Sequence, residues 1–279
     1  MVAAQPFDTT ATLVYAVPPP DGERAYIHIN IDRKTGQRER NYSGAEHNEI
    51  TIRDLRGNED SVSLDVNGFQ YFKHTSNHTA FTDEDAIQRE YYPETIELLK
   101  RLTGASDVVL FDHTIRRNHP DHNDEDAHSR RPVAQVHVDQ TPGSALARVH
   151  RHLPPDVAPA FAKKRFQILN LWRPISHAAL DWPLALCDYR TVDGAVDPMP
   201  VALVYPDREG ETYGIKYNPK HEWYYLRGMT PEEVVVIKCF DSKAGVAQYT
   251  PHTGFEDPTT PKNALPRESI EVRALVFYD

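Results

Sequence analysis

From residue 106 onward the chain is a succession of short apolar runs cut apart by proline, glycine and aspartate, and that rhythm limits the folds open to it. The runs are SDVVLFDHTI (106–115), VAQVHVD (133–139), RFQILNLW (165–172), VALVYP (201–206), YGIKYN (213–218), EWYYLRG (222–228), EEVVVIKCFD (232–241), GVAQYT (245–250) and SIEVRALVFYD (269–279). They are rich in β-branched and aromatic residues and too short to be good helices. Runs of this kind, so closely spaced, predict a sandwich or barrel. With 22 prolines against 13 glycines, the connections should be short and stiff.

The first third adds four strand-like pieces: TATLVYAV (10–17), AYIHINI (25–31), EITIRDL (49–55) and SVSLDV (61–66). Helical signals follow. Thr82 is a candidate N-cap for AIQREYY, Pro93 can open ETIELLKRL, and Gly104 stands where a helix-ending glycine belongs. DVAPAFAKK (156–164) reads as a short interposed helix. There is no internal repeat and no long linker. The expectation is one domain over 1–279, mainly β with flanking helices. Within it, residues 1–105 form an N-terminal α/β elaboration and 106–279 a β double layer.

At 39% hydrophobic and 26% charged residues, the composition is that of an ordinary globular protein. A net charge of −10 without a lysine- or arginine-rich block argues against a nucleic-acid binder, which needs clustered positive charge. No apolar run reaches the roughly 20 residues that span a bilayer, and the first residues carry no secretory pattern. Cys187 and Cys239 are far apart and form no C-x-x-C. A reducing, cytoplasmic location without membrane or nucleic-acid partners is expected.

His-x-acid pairs occur at His47/Glu49, His119/Asp121, His122/Asp124 and His137/Asp139, where chance predicts about two. Context separates them. His119 and His122 stand in HPDHNDED, a segment that reads as a solvated loop, and His47 stands at a strand entrance. In VAQVHVD the alternation is clean: Val136 and Val138 point one way, Gln135, His137 and Asp139 the other. Two polar side chains on one strand face, backed by an apolar one, suit the lining of a polar cavity and can reach one metal ion. A 2-His-1-carboxylate site needs a second histidine. Of His150, His152, His177, His221 and His252, the most suggestive is His252, in YTPHTGFEDP, late in the β region. His221 sits beside aromatics and reads better as a packed residue. In the last strand Arg267, Ser269, Glu271 and Arg273 alternate with Ile270, Val272, Ala274 and Val276. One face is therefore polar, either a carboxylate clamp or an edge whose arginines pair with Glu271.

These residues, together with FDHTIRR (111–117), VHVDQTP (136–142), FQILNLWRPI (166–175), PLALCDYRT (183–191) and FDSKAGVAQYTPHTGFEDP (240–258) running into RESIEVRALVFYD (267–279), resemble the iron(II)/2-oxoglutarate-dependent oxygenases. The sequence looks most like the fungal asaB-like hydroxylase/desaturase family, which includes a gibberellin desaturase. The resemblance implies a double-stranded β-helix (jelly-roll) core over 106–279, with Fe(II) held by His137, Asp139 and His252. It also implies 2-oxoglutarate and dioxygen as co-substrates, with the distal carboxylate of 2-oxoglutarate gripped by an arginine of the final strand. Arg267 with Ser269 matches the Arg-x-Ser arrangement, and Arg273 is the second candidate. Arg173 and Asn170, in NLWRP, would lie on a central strand, facing co-substrate or substrate. The implied reaction is hydroxylation, desaturation or oxidative ring closure of a small natural product in secondary metabolism. Two other readings remain open at this level. The same three ligands suit a zinc hydrolase with water in the open position, and a jelly roll can be a non-catalytic binder. No glycine-rich nucleotide loop supports methyl transfer.

Overall fold

The computed structural model describes residues 7–32, 34–118 and 132–279. The pairs His119/Asp121 and His122/Asp124 lie outside them.

The strands run in chain order β1 (Thr9–Val17), β2 (Ala25–Asp32), β3 (Gln37–Arg40), β4 (Ser43–Asp54), β5 (Phe69–Lys73), β6 (Asp107–Arg117) and β7 (His137–Val138). After these come β8 (Phe166–Pro174), β9 (Leu184–Cys187), β10 (Pro198–Val204), β11 (Glu209–Ile215), β12 (Trp223–Tyr225), β13 (Glu233–Asp241), β14 (His252–Gly254) and β15 (Glu268–Phe277). They form two layers: a five-stranded sheet in the order β5-β13-β8-β15-β6 and a ten-stranded one in the order β1-β4-β12-β9-β14-β7-β11-β10-β2-β3. The larger sheet curls far enough for Val14 of β1 to bridge Gln135, just before β7. Inside that curl lie Leu13, Tyr15, Val136, Val138, Trp223 and Tyr225, all buried.

Strands from the first 105 residues are built into both sheets. β4 pairs with β12, β2 with β10, and β5 with β13. The described strands before residue 105 thus share their sheets with the later strands. SVSLDV, expected as a strand, is a turn. The Asn67 side-chain carbonyl accepts from the Ser63 amide, while the Ser63 carbonyl takes the amides of Asn67 and Gly68, so local turn bonding outcompetes the ladder.

The helix over 84–103 is capped by Asp83, whose side chain accepts from the Ala86 amide, and not by Thr82. Its first part, α1 (Glu84–Ala86), passes through a widened turn at Ile87–Tyr91 into α2 (Tyr92–Thr103), so the two expected helices are one. The widening falls just before Pro93, which has no amide to donate. Gly104 ends it at φ +72°, its amide bonded to the Lys100 carbonyl. Leu98 and Leu99 of α2 pack on Leu169, Leu171, Val234 and Val276 and so cover one face of the five-stranded sheet. The other face looks into the space between the sheets. A third helix, α3 (Pro142–His152), escaped the sequence reading. Thr141 caps it reciprocally with Ser144, and Pro142 occupies the first turn. Its Ala145 and Val149 close one end of the double layer against Ile168, Cys239 and Leu275, and α4 (Ala158–Phe161) completes that end.

Candidate metal centre between the sheets

Alternation along each strand decides what reaches the interior. β7 sends Val136 and Val138 into the apolar curl and leaves His137 and Asp139 facing the five-stranded sheet. His252 on β14 lies directly opposite His137 in the antiparallel ladder, which brings the two rings to 4.4 Å between centroids. One ligand atom from each of His137, Asp139 and His252 can be chosen so that all lie within 4.8 Å of one another.

Hydrogen bonds settle how each ligand presents itself. His137 Nδ1 is 2.8 Å from the Gln135 carbonyl and His252 Nδ1 is 2.9 Å from the Thr250 carbonyl. A carbonyl only accepts, so both Nδ1 atoms carry the proton and both Nε2 lone pairs are free for a metal. Burial, reinforced by the neighbouring His137, lowers the His252 pKa. Asp139 Oδ2 accepts from Arg273 Nε at 2.9 Å and from Asn170 Nδ2 at 2.8 Å. Its Oδ1 faces His137 Nε2 at 3.5 Å. Burial alone would raise the Asp139 pKa, but the Arg273 guanidinium beside it holds it well below the usual carboxylate range. Two imidazoles that present Nε2 and one monodentate carboxylate suit a divalent iron ion that keeps open coordination positions.

β15 and Arg267 just before it present Arg267, Ser269, Glu271 and Arg273 to the interior, and the other face of the strand (Ile270, Val272) packs under the 84–103 helix beside Phe81 and Tyr91. The two arginines are held differently. Arg273 pairs with Asp112 (2.9 Å), Asp139 (2.9 Å) and Glu271 (2.8 Å). Arg267, 2% exposed, donates through Nη1 to the Trp182 carbonyl and lies 5.7 Å over the Trp172 ring. No carboxylate comes within 4.0 Å of its guanidinium among the described residues. Its Nε and the neighbouring Ser269 Oγ are buried without a hydrogen-bond partner. Burial, then the nearby Arg116, disfavours the Arg267 charge, as expected for a buried cation that lacks an anion. Trp182, whose carbonyl holds Arg267, has φ +45°, a left-handed conformation uncommon for an aromatic residue. Gly254 completes the wall: a Cβ there would lie 3.1 Å from Pro132 Cβ, 3.3 Å from the Val133 carbonyl and 3.4 Å from Arg267 Nη1.

Asn170 and Arg173 part company because they stand three positions apart on β8. Asn170 points inward to Asp139, its Oδ1 unpartnered. Arg173 points outward and bonds His74 Nδ1 (2.8 Å) and the His74 and Pro231 carbonyls, over Tyr91. It does not reach the centre, contrary to the expectation, because strand alternation gives it to the helix-covered face. His221 is likewise elsewhere, buried and bonded to Asp197 at 2.9 Å. The sequence reading missed Asp112, which supports Arg273, and Trp182. Asp112 stands in FDHTIRR but has no spacing that marks its role, and Trp182 stands in no pattern. It also missed the placement of α3, although Thr141-Pro142-x-Ser144 is a legible cap.

Comparisons with known proteins agree with this geometry. The family described as an oxidoreductase/YMDC permease-like domain matches residues 13–277. A hydroxylase/desaturase, efuI of Hormonema carpetanum, is 36% identical over 251 residues, covering 82% of this chain and 83% of that one. The Fe(II)/2-oxoglutarate-dependent dioxygenase nvfI of Aspergillus novofumigatus is 32% identical over 268 residues, covering 94% of each. A solved structure of the iron and alpha-ketoglutarate-dependent endoperoxidase NvfI superposes with a TM-score of 0.87 at 28% identity, over 97% of this chain and 98% of that one. The two curled layers are thus the double-stranded β-helix, and the chain belongs to the fungal hydroxylase/desaturase family of Fe(II)/2-oxoglutarate-dependent oxygenases.

Proposed function

We infer that the protein is a non-haem oxygenase of secondary metabolism that uses Fe(II), 2-oxoglutarate and dioxygen to hydroxylate, desaturate or oxidatively cyclise a small natural product. The observation that carries this reading is the ligand set itself. His137 and His252 are each locked by a backbone carbonyl with Nε2 presented, and Asp139 has one oxygen taken by Arg273 and Asn170 and the other left for the metal.

Bound iron would supply the oxidising chemistry at the positions the protein leaves open, coupled to decarboxylation of 2-oxoglutarate. The chain's own residues prepare the ground for it. The carbonyls of Gln135 and Thr250 fix both imidazole tautomers. Arg273 keeps Asp139 ionised and, with Asn170, fixes which oxygen faces the metal. On our reading Arg267 and Ser269 receive the distal carboxylate of 2-oxoglutarate. The buried guanidinium without an anion, the orphaned Nε and the orphaned Ser269 Oγ support this role, since a carboxylate would satisfy all three. Arg273 is already saturated with carboxylates, which argues against it as the clamp. No helix among the described residues is long and apolar enough to cross a membrane.

Anaerobic titration tests the reading. Fe(II) followed by 2-oxoglutarate should produce a weak visible charge-transfer band, and admission of oxygen should release succinate only when iron is present. Absence of the band, with hydrolytic activity sustained by zinc alone, would overturn it.

A further inference from the structure

A cavity of about 230 Å³ opens on Asp139, between the exposed face of α3 and the β10–β11 hairpin. The six positions from Arg267 to Arg273 span about 20 Å of strand. Arg267 therefore stands well away from Arg273, and the cavity reaches the centre through Asp139, the residue that Arg273 pairs with. One wall is apolar and aromatic, formed by Leu203 and Tyr205, and the facing wall carries Arg148 and Arg151.

The charges in this cavity are unequally matched. Its carboxylates are satisfied: Arg24 reaches Glu209 and Glu211 at 2.7 Å each, Glu211 also accepts from Thr141 Oγ1, and Asp139 belongs to Arg273. The cations of α3 are not. Arg148 Cζ lies 4.9 Å from the Phe111 ring centroid, so its position is fixed by stacking. Among the described residues neither Arg148 nor Arg151 has a carboxylate within 4.0 Å. Asp112, the acid whose charge most favours that of Arg148, is engaged by Arg273 at 2.9 Å. A half-buried, pre-positioned guanidinium that faces a cavity whose carboxylates are already paired elsewhere is suited to receive a ligand carboxylate.

We propose that this cavity binds the substrate, and that the substrate is an organic acid whose carboxylate pairs with Arg148 while its hydrocarbon body lies against Leu203 and Tyr205. The inference rests on the oxygenase reading above. It deepens that reading by giving the substrate a chemical class and the site a residue that selects it. Arg151, farther out on the same helix face, adds attraction for an approaching anion.

The test uses the full chain loaded anaerobically with Fe(II) and saturating 2-oxoglutarate, with cyclohexanecarboxylate and cyclohexanecarboxamide as probes of matched shape. Calorimetry should find the acid bound about tenfold or more tightly than the amide, as a charge-assisted hydrogen bond implies. Arg148→Gln should abolish the difference. Arg148→Lys, a point charge without the planar fork, should keep part of it. The visible band is recorded in every sample. If the band never forms, the oxygenase reading itself fails, whatever the probes do. If it forms but the acid does not bind, binds no better than the amide, or keeps its advantage in Arg148→Gln, the proposal is overturned. An acid that erases the band by displacing 2-oxoglutarate overturns it too, because it has then taken the co-substrate's place.

Discussion

Arg267 and Arg273 share one face of one strand, six residues apart, and have opposite surroundings. Arg273 is enclosed by three carboxylates, whereas Arg267 has none within 4.0 Å among the described residues. A buried cation that is fully paired holds a fold or orients a ligand. One provided only with a carbonyl, an aromatic face and an orphaned hydroxyl is built to receive an anion. On the proposed reading the same side chain takes two roles according to the neighbouring loops and strands.

The contrast can be broken by mutation. Replacing a ligand, as in Asp139→Ala or His137→Ala, should have the largest effect: iron binding falls, and succinate release drops to background while circular dichroism stays native. Metal analysis and turnover check this, and removal of iron from the intact protein by a chelator should match it. Next comes Arg267→Gln. Losing one partner of a buried charge pair costs about 2–5 kcal/mol, so the KM for 2-oxoglutarate should rise at least about thirtyfold while iron affinity changes little. Arg273→Gln should do the converse. Iron affinity should fall about 10- to 100-fold, as for other supports of metal ligands, with a much smaller change in KM for 2-oxoglutarate. If the two variants exchange phenotypes, the assignment of roles is reversed. Gly254→Ala is subtler, because a methyl 3.4 Å from Arg267 Nη1 has to push that side chain slightly. A few-fold loss of 2-oxoglutarate affinity is expected, read as a shift in the titration of the visible band.

A third cation sets the baseline. Lys238, fully buried, donates to Asp65 at 2.9 Å and Asp241 at 2.8 Å, and Asp241 is also held by Arg165. Burial opposes ionisation of Asp241, but Arg165 and Lys238 win and lower its pKa. A carboxyl whose folded pKa is depressed adds stability that is present above its unfolded pKa, near 3.9, and is lost as pH falls through the folded value. Asp241→Asn should therefore lower the melting temperature at neutral pH and flatten the loss of stability on acidification below about pH 4. The KM for 2-oxoglutarate should not move. A change in KM would mean that pairing by carboxylates does not separate structural from receptive cations in this fold.

How much of this was legible in the sequence differs from residue to residue. The faces of β7 and β15 could be read because each strand alternates cleanly and a period of two leaves little ambiguity about sidedness. His252 could be proposed but not paired, since nothing in YTPHTGFEDP states that β14 will lie against β7. That is a fact of long-range register. Asn170 and Arg173 looked equivalent because β8 is buried on both faces, and a strand without a polar face gives no parity to count from. The choice between Arg267 and Arg273 was closed to sequence altogether. It depends on Asp112, from β6, and on Trp182, which has no local signature. SVSLDV misled because its alternation is good and its turn chemistry, set by Asn67, begins only at its end.

The bridge from β1 to the start of β7 has a consequence for the order of events in biosynthesis. The Val136 amide donates to the Val14 carbonyl, next to the residue whose carbonyl fixes the His137 ring. The counter-charge of Asp139 comes from Arg273, near the other end of the numbering. On the ribosome the first of these supports can form once residue 136 has been joined and the last only after residue 273. A nascent chain can therefore carry His137 and Asp139 for a long interval without the geometry that would hold iron. Metal loading belongs to the finished fold, and a lesion in β1, more than 120 residues from the first ligand, should show itself as iron deficiency.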